Sequence, residues 1–361
     1  MKPAGHSTQV VPECVPNTGL PSLVGRHFYS SDYYEVGREK IREYADVTRN
    51  DHPAYRSDDA ARELGYPGLL APPTFFSMAA SMSQGLLLGA FVDGTELRSV
   101  IQTDQRIDLG RPVVAGDRLG CEVWIDTYRQ AFGCDLIGVT SVLTDLTGTP
   151  VVTSRTRLAG RADLDVRVAA ELRSMLMRCL GPTPPLLPDR RWDTGERIAA
   201  TKSAPGPRRA NFTAAHLRSF ADIAVGDQLP SRTVQLERSD LIHYAGVSGD
   251  PNPIHWSPRA ARLLQLDSVV AHGMLTIGIG AGFVSAYLDD PGAISAYRVR
   301  LTSPVFVADK GAVLEFGGRV QSIDPEARTV TLAITAAQGG RAVFGRAVLT
   351  VRMRHEDPHD R

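Results

Sequence analysis

Two side chains of different acidity, Asp250 and His255, stand five residues apart in the stretch SDLIHYAGVSGDPNPIHWSPRAARLLQLDSVVAHGMLT, Ser239 to Thr276. Pro251 and Pro253 keep the segment between them out of a regular helix, since proline removes a backbone donor and restricts the residue before it. A carboxylate and an imidazole can therefore converge on one point, where they form a general acid/base pair that works near neutral pH. The second device is Gly273, which opens an apolar run from Met274 to Leu288. A helix beginning there presents unpaired N–H groups and a partial positive charge, and would stabilise a thioester carbonyl that becomes enolate-like. Loss or addition of water across a Cα–Cβ bond needs those two devices. Asn252 is expected to fix the loop, and His272 to border the substrate at the helix start or simply cap and pack there. His243 reads as a packed or surface residue. Asp, Asn and Pro also form plain turns; what sets this stretch apart is His255, the helix-like SPRAARLL and the HGM that follow in order.

Those residues must be carried by a fold, and the chain displays it twice. Arg38, Tyr44, Ala45, Val47, Pro53, Ala60, Ala61, Arg62 and Leu64 recur as Arg238, Tyr244, Ala245, Val247, Pro253, Ala260, Ala261, Arg262 and Leu264. A second anchor, Pro112, Val113 and Asp117, recurs as Pro304, Val305 and Asp309, a shorter offset that leaves the first copy with a few extra residues between anchors. Each copy ends in alternating segments of the kind that form antiparallel strands with one buried face. In the first copy these are Leu97 to Ile107, Leu119 to Tyr128, Leu136 to Leu146 and Val151 to Leu158; in the second, Ile294 to Leu301, Ala312 to Gln321, Thr329 to Thr335 and Ala342 to Val351. One strand, a helical block with a long apolar helix and four more strands make a hotdog. The expected fold class is α+β, a double hotdog with two long central helices each wrapped by an antiparallel sheet.

The domain plan that follows is a disordered tail over 1–22, a first hotdog over 23–159, a linker over 160–220 and a second hotdog over 221–354. The linker holds one amphipathic segment, Val166 to Leu180, and proline-rich connectors that carry Arg190, Arg191, Arg208 and Arg209. A solvated spacer is its default reading and a docking strip the alternative. The two copies differ where chemistry would occur. Asn50 stands for Asp250, Tyr55 for His255, and Pro73 lines up near Gly273. Tyr titrates near pH 10 and Asn not at all, so the first copy should be catalytically silent and serve to hold the acyl chain.

Composition narrows the classes. The 361 residues carry 40 basic and 40 acidic side chains, a balance that argues against nucleic acid as the main partner and against a polybasic membrane anchor. Four scattered cysteines, Cys14, Cys121, Cys134 and Cys179, fit a reducing cytoplasm and offer no zinc spacing. The N-terminus has no apolar core of a signal peptide. The run from Ser268 to Leu288 is broken by His272 and four glycines, and reads as a buried helix of a soluble protein, not a membrane span.

The order DPNPIH, SPRAARLL, HGM resembles the signature of MaoC-like, or (R)-specific enoyl hydratase 2, proteins. The fused pair resembles the two-subunit dehydratases of actinobacterial type II fatty acid synthesis, in which one hotdog holds the acyl chain and a MaoC-like partner does the chemistry. The resemblance implies a cytoplasmic (3R)-hydroxyacyl-thioester dehydratase, reversible as an enoyl hydratase, with Asp250 and His255 catalytic and with Gly273, Asn252 and His272 around the substrate. It implies no cofactor and no metal. The substrate would be an acyl-CoA or acyl-ACP thioester, an acyl carrier protein being a possible partner, and the chain a monomer or homodimer. A hotdog thioesterase and a non-catalytic acyl-thioester-binding protein are the rival expectations.

Overall fold

The computed structural model describes residues 20–80, 83, 84, 87, 100–161, 165–179, 186–188 and 218–354. The strands of the first half are β1 (His27–Ser30), β2 (Tyr34–Glu35), β3 (Val100–Leu109), β4 (Arg118–Ala131), β5 (Cys134–Thr144) and β6 (Pro150–Arg161). After a short β7 (Leu186–Pro188), the second half supplies β8 (Gln228–Leu236), β9 (Val269–Val270), β10 (Ile294–Leu301), β11 (Phe306–Val307), β12 (Ala312–Asp324), β13 (Thr329–Gln338), β14 (Arg341–Ala342) and β15 (Phe344–Arg352). The helices are α1 (Arg38–Val47), α2 (Asp58–Glu63), α3 (Val166–Cys179), α4 (Arg238–Ser248), α5 (Pro258–Leu263) and α6 (Gly273–Leu288). Residues 77–80, 83, 84 and 87 are also helical, at the place in the first half that α6 takes in the second.

One sheet of 13 strands runs through both halves in the order β7-β1-β4-β5-β6-β3-β10-β15-β13-β12-β8 along its main path. The halves meet where β3 and β10 pair antiparallel, from Ala296 opposite Asp108 to Arg300 opposite Asp104. Strands β12, β13 and β15 alternate buried and exposed positions, which is why the second half's sheet keeps one face on the core and one in solvent. This is the double hotdog that the repeat predicts, with strand limits moved by a few residues where they are described; Leu97 to Ser99, expected to open the first of these strands, lie outside the described residues.

Helix α6 explains its own glycines. Nearly every residue from Leu275 to Leu288 is buried, and the apolar stretch is therefore the centre of a folded domain. A Cβ on Gly278 would come 2.9 Å from the Thr48 side chain, and one on Gly282 would come 2.3 Å from Asn50 Oδ1. Glycine inside a helix costs about 1 kcal/mol against alanine. The two glycines lie on one helix face and admit the Thr48–Asn50 turn of the other half. Among the described residues no helix is long and apolar enough to cross a membrane.

Three expectations change. Leu20–Leu23 form a 3-10 turn whose two leucines are buried with Phe28, Val123 and Ile125, so the last part of the expected tail is packed; residues 1–19 lie outside the described ones. The linker is not a plain spacer. Its helix α3 buries Ala169 and Leu172, one face of an amphipathic helix, against Ile254, Ala260, Leu264 and Val270, and Glu171 pairs with Arg259 at 2.6 Å. Further on, Leu186–Pro188 pair with β1 and extend the first half-sheet. Arg190, Arg191, Arg208 and Arg209 lie outside the described residues. Finally, the stretch from Pro73 is a turn, with helix only from Ser77, so the first half has no helix start at the position of Gly273.

Candidate active site

The loop that carries Asp250 is set by local backbone chemistry. Helix α4 stops at Gly249, whose left-handed φ of 73° lets its N–H reach Ala245 O at 3.0 Å. Asn252 then caps a 3-10 turn, Pro253–His255, by accepting from the Ile254 N–H at 3.3 Å, and Asp250 Oδ1 accepts from the Asn252 N–H at 3.3 Å. Trp256 Nε1 donates to Pro251 O at 2.9 Å and closes the loop on itself. Asn252 is thus the cap of this turn. His243 is exposed on α4 and takes no part.

His255 is almost fully buried, and its Nδ1 lies 2.6 Å from the carbonyl of Val270. A carbonyl can only accept, so Nδ1 carries the hydrogen and Nε2 keeps its lone pair. The His272 Nε2–H donates in the same way to the backbone oxygen of Asp250 at 3.1 Å, which ties the start of α6 to the loop. The two imidazoles stack, with ring centres 3.6 Å apart, and the Tyr244 ring packs against His272 at 4.8 Å, tilted by 55°. Asp250, His255 and His272 each bring one polar atom to within 4.8 Å of the others. Such a trio could suggest a metal. The stack opposes it: in-plane lone pairs of two nearly parallel rings do not meet at one point, as ligation of a single ion by both would require.

Burial sets the protonation states. It pushes the His255 imidazole below its ordinary value, against a smaller upward pull from Asp250 and the Val270 hydrogen bond. His272 is pushed down further, first by burial and then by His255 itself. Both rings are neutral at pH 7, and His255 Nε2 is free to take a proton. Next to them Gly273 starts a helix of 16 residues, whose first N–H groups have no carbonyl within the helix to bind.

The counterparts in the first half face elsewhere. Asn50, 2 % exposed, donates from Nδ2 to Thr48 O at 3.1 Å, to Thr48 Oγ1 at 2.7 Å and to Gly278 O at 3.4 Å. Tyr55 is completely buried with its hydroxyl 3.5 Å from Ser285 Oγ, and burial pushes its phenol well above the usual range. Both side chains pack on α6 of the other half. Tyr44 and Tyr244, matched in the repeat but given no role there, lie 6.2 Å apart between the halves.

The structure therefore gathers all five residues that the sequence singles out: Asp250, Asn252, His255, His272 and Gly273. It adds one that the sequence does not signal. Gln102, on β3 of the first half, lies directly over Gly273, where an added Cβ would be 2.6 Å from its Oε1.

A family described as FAS1-like, dehydratase domain region, matches residues 22–154, and the MaoC like domain matches residues 221–337. A solved MaoC-like dehydratase is 38% identical, with a TM-score of 0.80 over 93% of this chain and 100% of that one. A UPF0336 protein of Mycobacterium tuberculosis strain H37Rv is 41% identical over 143 residues, 40% of this chain and 90% of the relative. A conserved hypothetical protein from Mycobacterium tuberculosis with a double hotdog fold superposes with a TM-score of 0.59 at 16% identity, over 91% of this chain and 96% of that one, a likeness of fold alone.

Proposed function

The chain belongs to the MaoC-like dehydratases and is a hydro-lyase, and from that premise we propose that it interconverts (3R)-3-hydroxyacyl and trans-2-enoyl thioesters by acid/base chemistry at Asp250 and His255. The observation that carries this reading is the fixed tautomer of His255. With Nδ1–H held by Val270 O, Nε2 keeps its lone pair, and Asp250 and the start of α6 lie close to the same ring.

In the dehydration direction His255 Nε2 takes the proton from C2, and the electron pair moves onto the thioester oxygen, which the Gly273 N–H holds. The pair then returns to form the C2–C3 double bond and expels the C3 hydroxyl. Asp250 holds that hydroxyl through its O–H and stabilises the imidazolium, which hands its proton to the departing oxygen, so one water leaves and the base is restored. Asn252 and His272 are positioning residues that keep Asp250 and His255 in place. The first half has no acid/base pair of its own, binds the acyl chain and supplies a wall. The carrier is CoA or an acyl carrier protein, and the compartment the cytoplasm.

Hydration of crotonyl-CoA and longer enoyl-CoA, followed by loss of the conjugated absorbance, tests the reaction. Asp250→Asn and His255→Ala are each expected to lower the rate by about two to four orders of magnitude, the usual worth of a positioned acid/base group. Tyr55→Phe is expected to leave it within about twofold, since it removes only a long contact to Ser285. Release of free thiol without enoyl chemistry would instead make the protein a thioesterase, and stoichiometric binding without turnover would make it an acyl-binding protein.

A further inference from the structure

Gln102 belongs to the half that lacks the acid/base pair, yet its carboxamide rests on Gly273. The orientation of that amide can be traced to a fixed point. Gln105 Nε2 lies 3.3 Å from the backbone oxygen of Arg106 and 2.7 Å from Ser154 Oγ, and the carbonyl accepts only, so this nitrogen is the donor and Oε1 is the acceptor. Gln105 Oε1 then receives Thr156 Oγ1–H at 2.9 Å and Gln102 Nε2–H at 2.7 Å. Gln102 consequently has one N–H engaged by Gln105 and a second without an oxygen or nitrogen acceptor. The neighbour of the second is Met274 Sδ at 3.5 Å, a weak acceptor at the start of α6. The amide thus sets its Oε1 against Gly273 and its second N–H on the thioether of Met274, the second residue of the helix, where a stronger acceptor can take that hydrogen over.

The backbone shows that this placement is built in. Alternation along β3 would send Gln102 and Gln105 to opposite faces of the sheet. An irregularity in the β3–β6 pairing between Gln102 and Asp104 brings both to the inner face. The repeat supplies a control. At the offset that matches Pro112 with Pro304, Gln102 corresponds to Ile294 and Leu109 to Leu301, and the pairing of β10 has the same irregularity between Ile294 and Ala296. Leu301 touches Gly273 just as Gln102 does, while Ile294 and Leu109 border the same recess as Pro73. The half that offers a helix start to substrate receives a glutamine from its neighbour. The half that offers a proline receives an isoleucine.

We propose that Gln102 is a catalytic residue of the second half's active site, its spare N–H donating to the thioester oxygen beside the Gly273 N–H, with Gln105 and Thr156 holding it in that pose. This assignment rests on the reaction proposed above. Two donors aimed at the oxygen that gains charge form a complete oxyanion site, and loss of one such donor usually costs about 10²- to 10³-fold in turnover. It also gives the silent half a chemical duty in addition to covering α6.

The test uses the full chain, Gln102→Leu, the near-isosteric Gln102→Glu, crotonyl-CoA hydration and, separately, the carbonyl stretch of bound butyryl-CoA, which cannot be dehydrated or hydrated. Expected are a fall in kcat of at least about tenfold for Gln102→Leu with KM changed less than about threefold, and a larger fall for Gln102→Glu, which puts negative charge where negative charge develops. The acid limb of the pH profile should stay in place, because His255 is untouched. The lowering of the butyryl carbonyl frequency on binding should shrink in both variants. If Gln102→Leu does not fold, Gln102→Glu and its carbonyl shift decide. A parent that hydrates crotonyl-CoA while both variants stay within twofold and keep the full shift overturns the role of Gln102 alone. A parent that hydrates no enoyl thioester overturns the proposed reaction and this role with it.

Discussion

Replacing Asn50 by aspartate restores to the first half the residue type found at position 250, and the structure says that it should damage the protein instead of arming it. Asn50 is 2 % exposed, and its Nδ2 gives hydrogens to Thr48 O, Thr48 Oγ1 and Gly278 O. An aspartate would set an oxygen against two carbonyl oxygens that cannot donate, and next to the Cα of Gly282 with no room to turn. An uncompensated buried charge costs about 3–5 kcal/mol. The carboxyl escapes part of that cost by staying protonated, when it can still donate one hydrogen bond and the loss falls to about 1–3 kcal/mol. Its folded pKa is thus raised above the unfolded value near 3.9. Stability referred to this group is present below that value and is lost as pH rises. The assay is the urea midpoint of parent and Asn50→Asp at pH 5 and pH 8, with hydration measured in an Asp250→Asn background. The midpoint should drop at both pH values and drop further at pH 8, and no activity should return. A variant as stable as the parent at pH 8 would refute the packing role of Asn50, and recovered turnover would refute a silent first half.

Other outcomes follow from the same contacts. With burial holding the His255 imidazole below 6.5, the acid limb of kcat/KM should lie below pH 6.5, and because His255 and His272 are both buried neutral, folding stability should fall as pH drops from the unfolded value; an acid limb above pH 7 would contradict neutral His255 as the base. Gly273→Ala would place a Cβ 2.6 Å from Gln102 Oε1 and 3.0 Å from Leu301 Cδ1, so hydration should fall at least about tenfold, and Gln102→Ala should add much less to the loss in the Gly273→Ala background than alone, since the two changes disturb one contact; full additivity of the two losses would argue against a shared site.

Much of the fold is written in the chain because a repeat constrains two segments at once. The strand alternation, the run from Gly273 to Leu288 and the turn at Gly339 and Gly340, both left-handed, can each be read from residue type. The five residues about Asp250 were legible for a similar reason: their order along the chain matches the order in which one loop and one helix start deliver them. Gln102 was not. In QTDQ an alternating strand points it away from Gln105, and only the irregular pairing with β6 reverses this. Nor does any sequence rule foretell that His272 stacks on His255, because the contact depends on how α6 meets a loop from 17 residues upstream. The strand Leu186–Pro188 hides within proline-rich chain, and its pairing with β1 comes from the neighbour and not from its own composition.

The division of labour between the halves makes a last prediction for a fragment of residues 218–361. Removing the first half uncovers the whole edge of β10 and the Gly278 and Gly282 face of α6, so the fragment should either aggregate or pair with a second copy through the same antiparallel edge. Pairing of this kind keeps the sheet but alters the chemistry, because each copy now meets another catalytic half. The repeat puts Ile294 where Gln102 stood over Gly273. It also puts Asp250 and His255 where Asn50 and Tyr55 packed, on a buried helix face whose Gly282 leaves space for an amide and none for a hydrated carboxylate. A dimer of fragments should therefore be less stable than the parent chain and hydrate crotonyl-CoA at least about tenfold more slowly per site, the loss expected of one missing oxyanion donor. Sedimentation would measure its size and initial rates its activity. A soluble fragment, monomeric at micromolar concentration and as active as the parent, would show that the second half needs neither the seam nor Gln102.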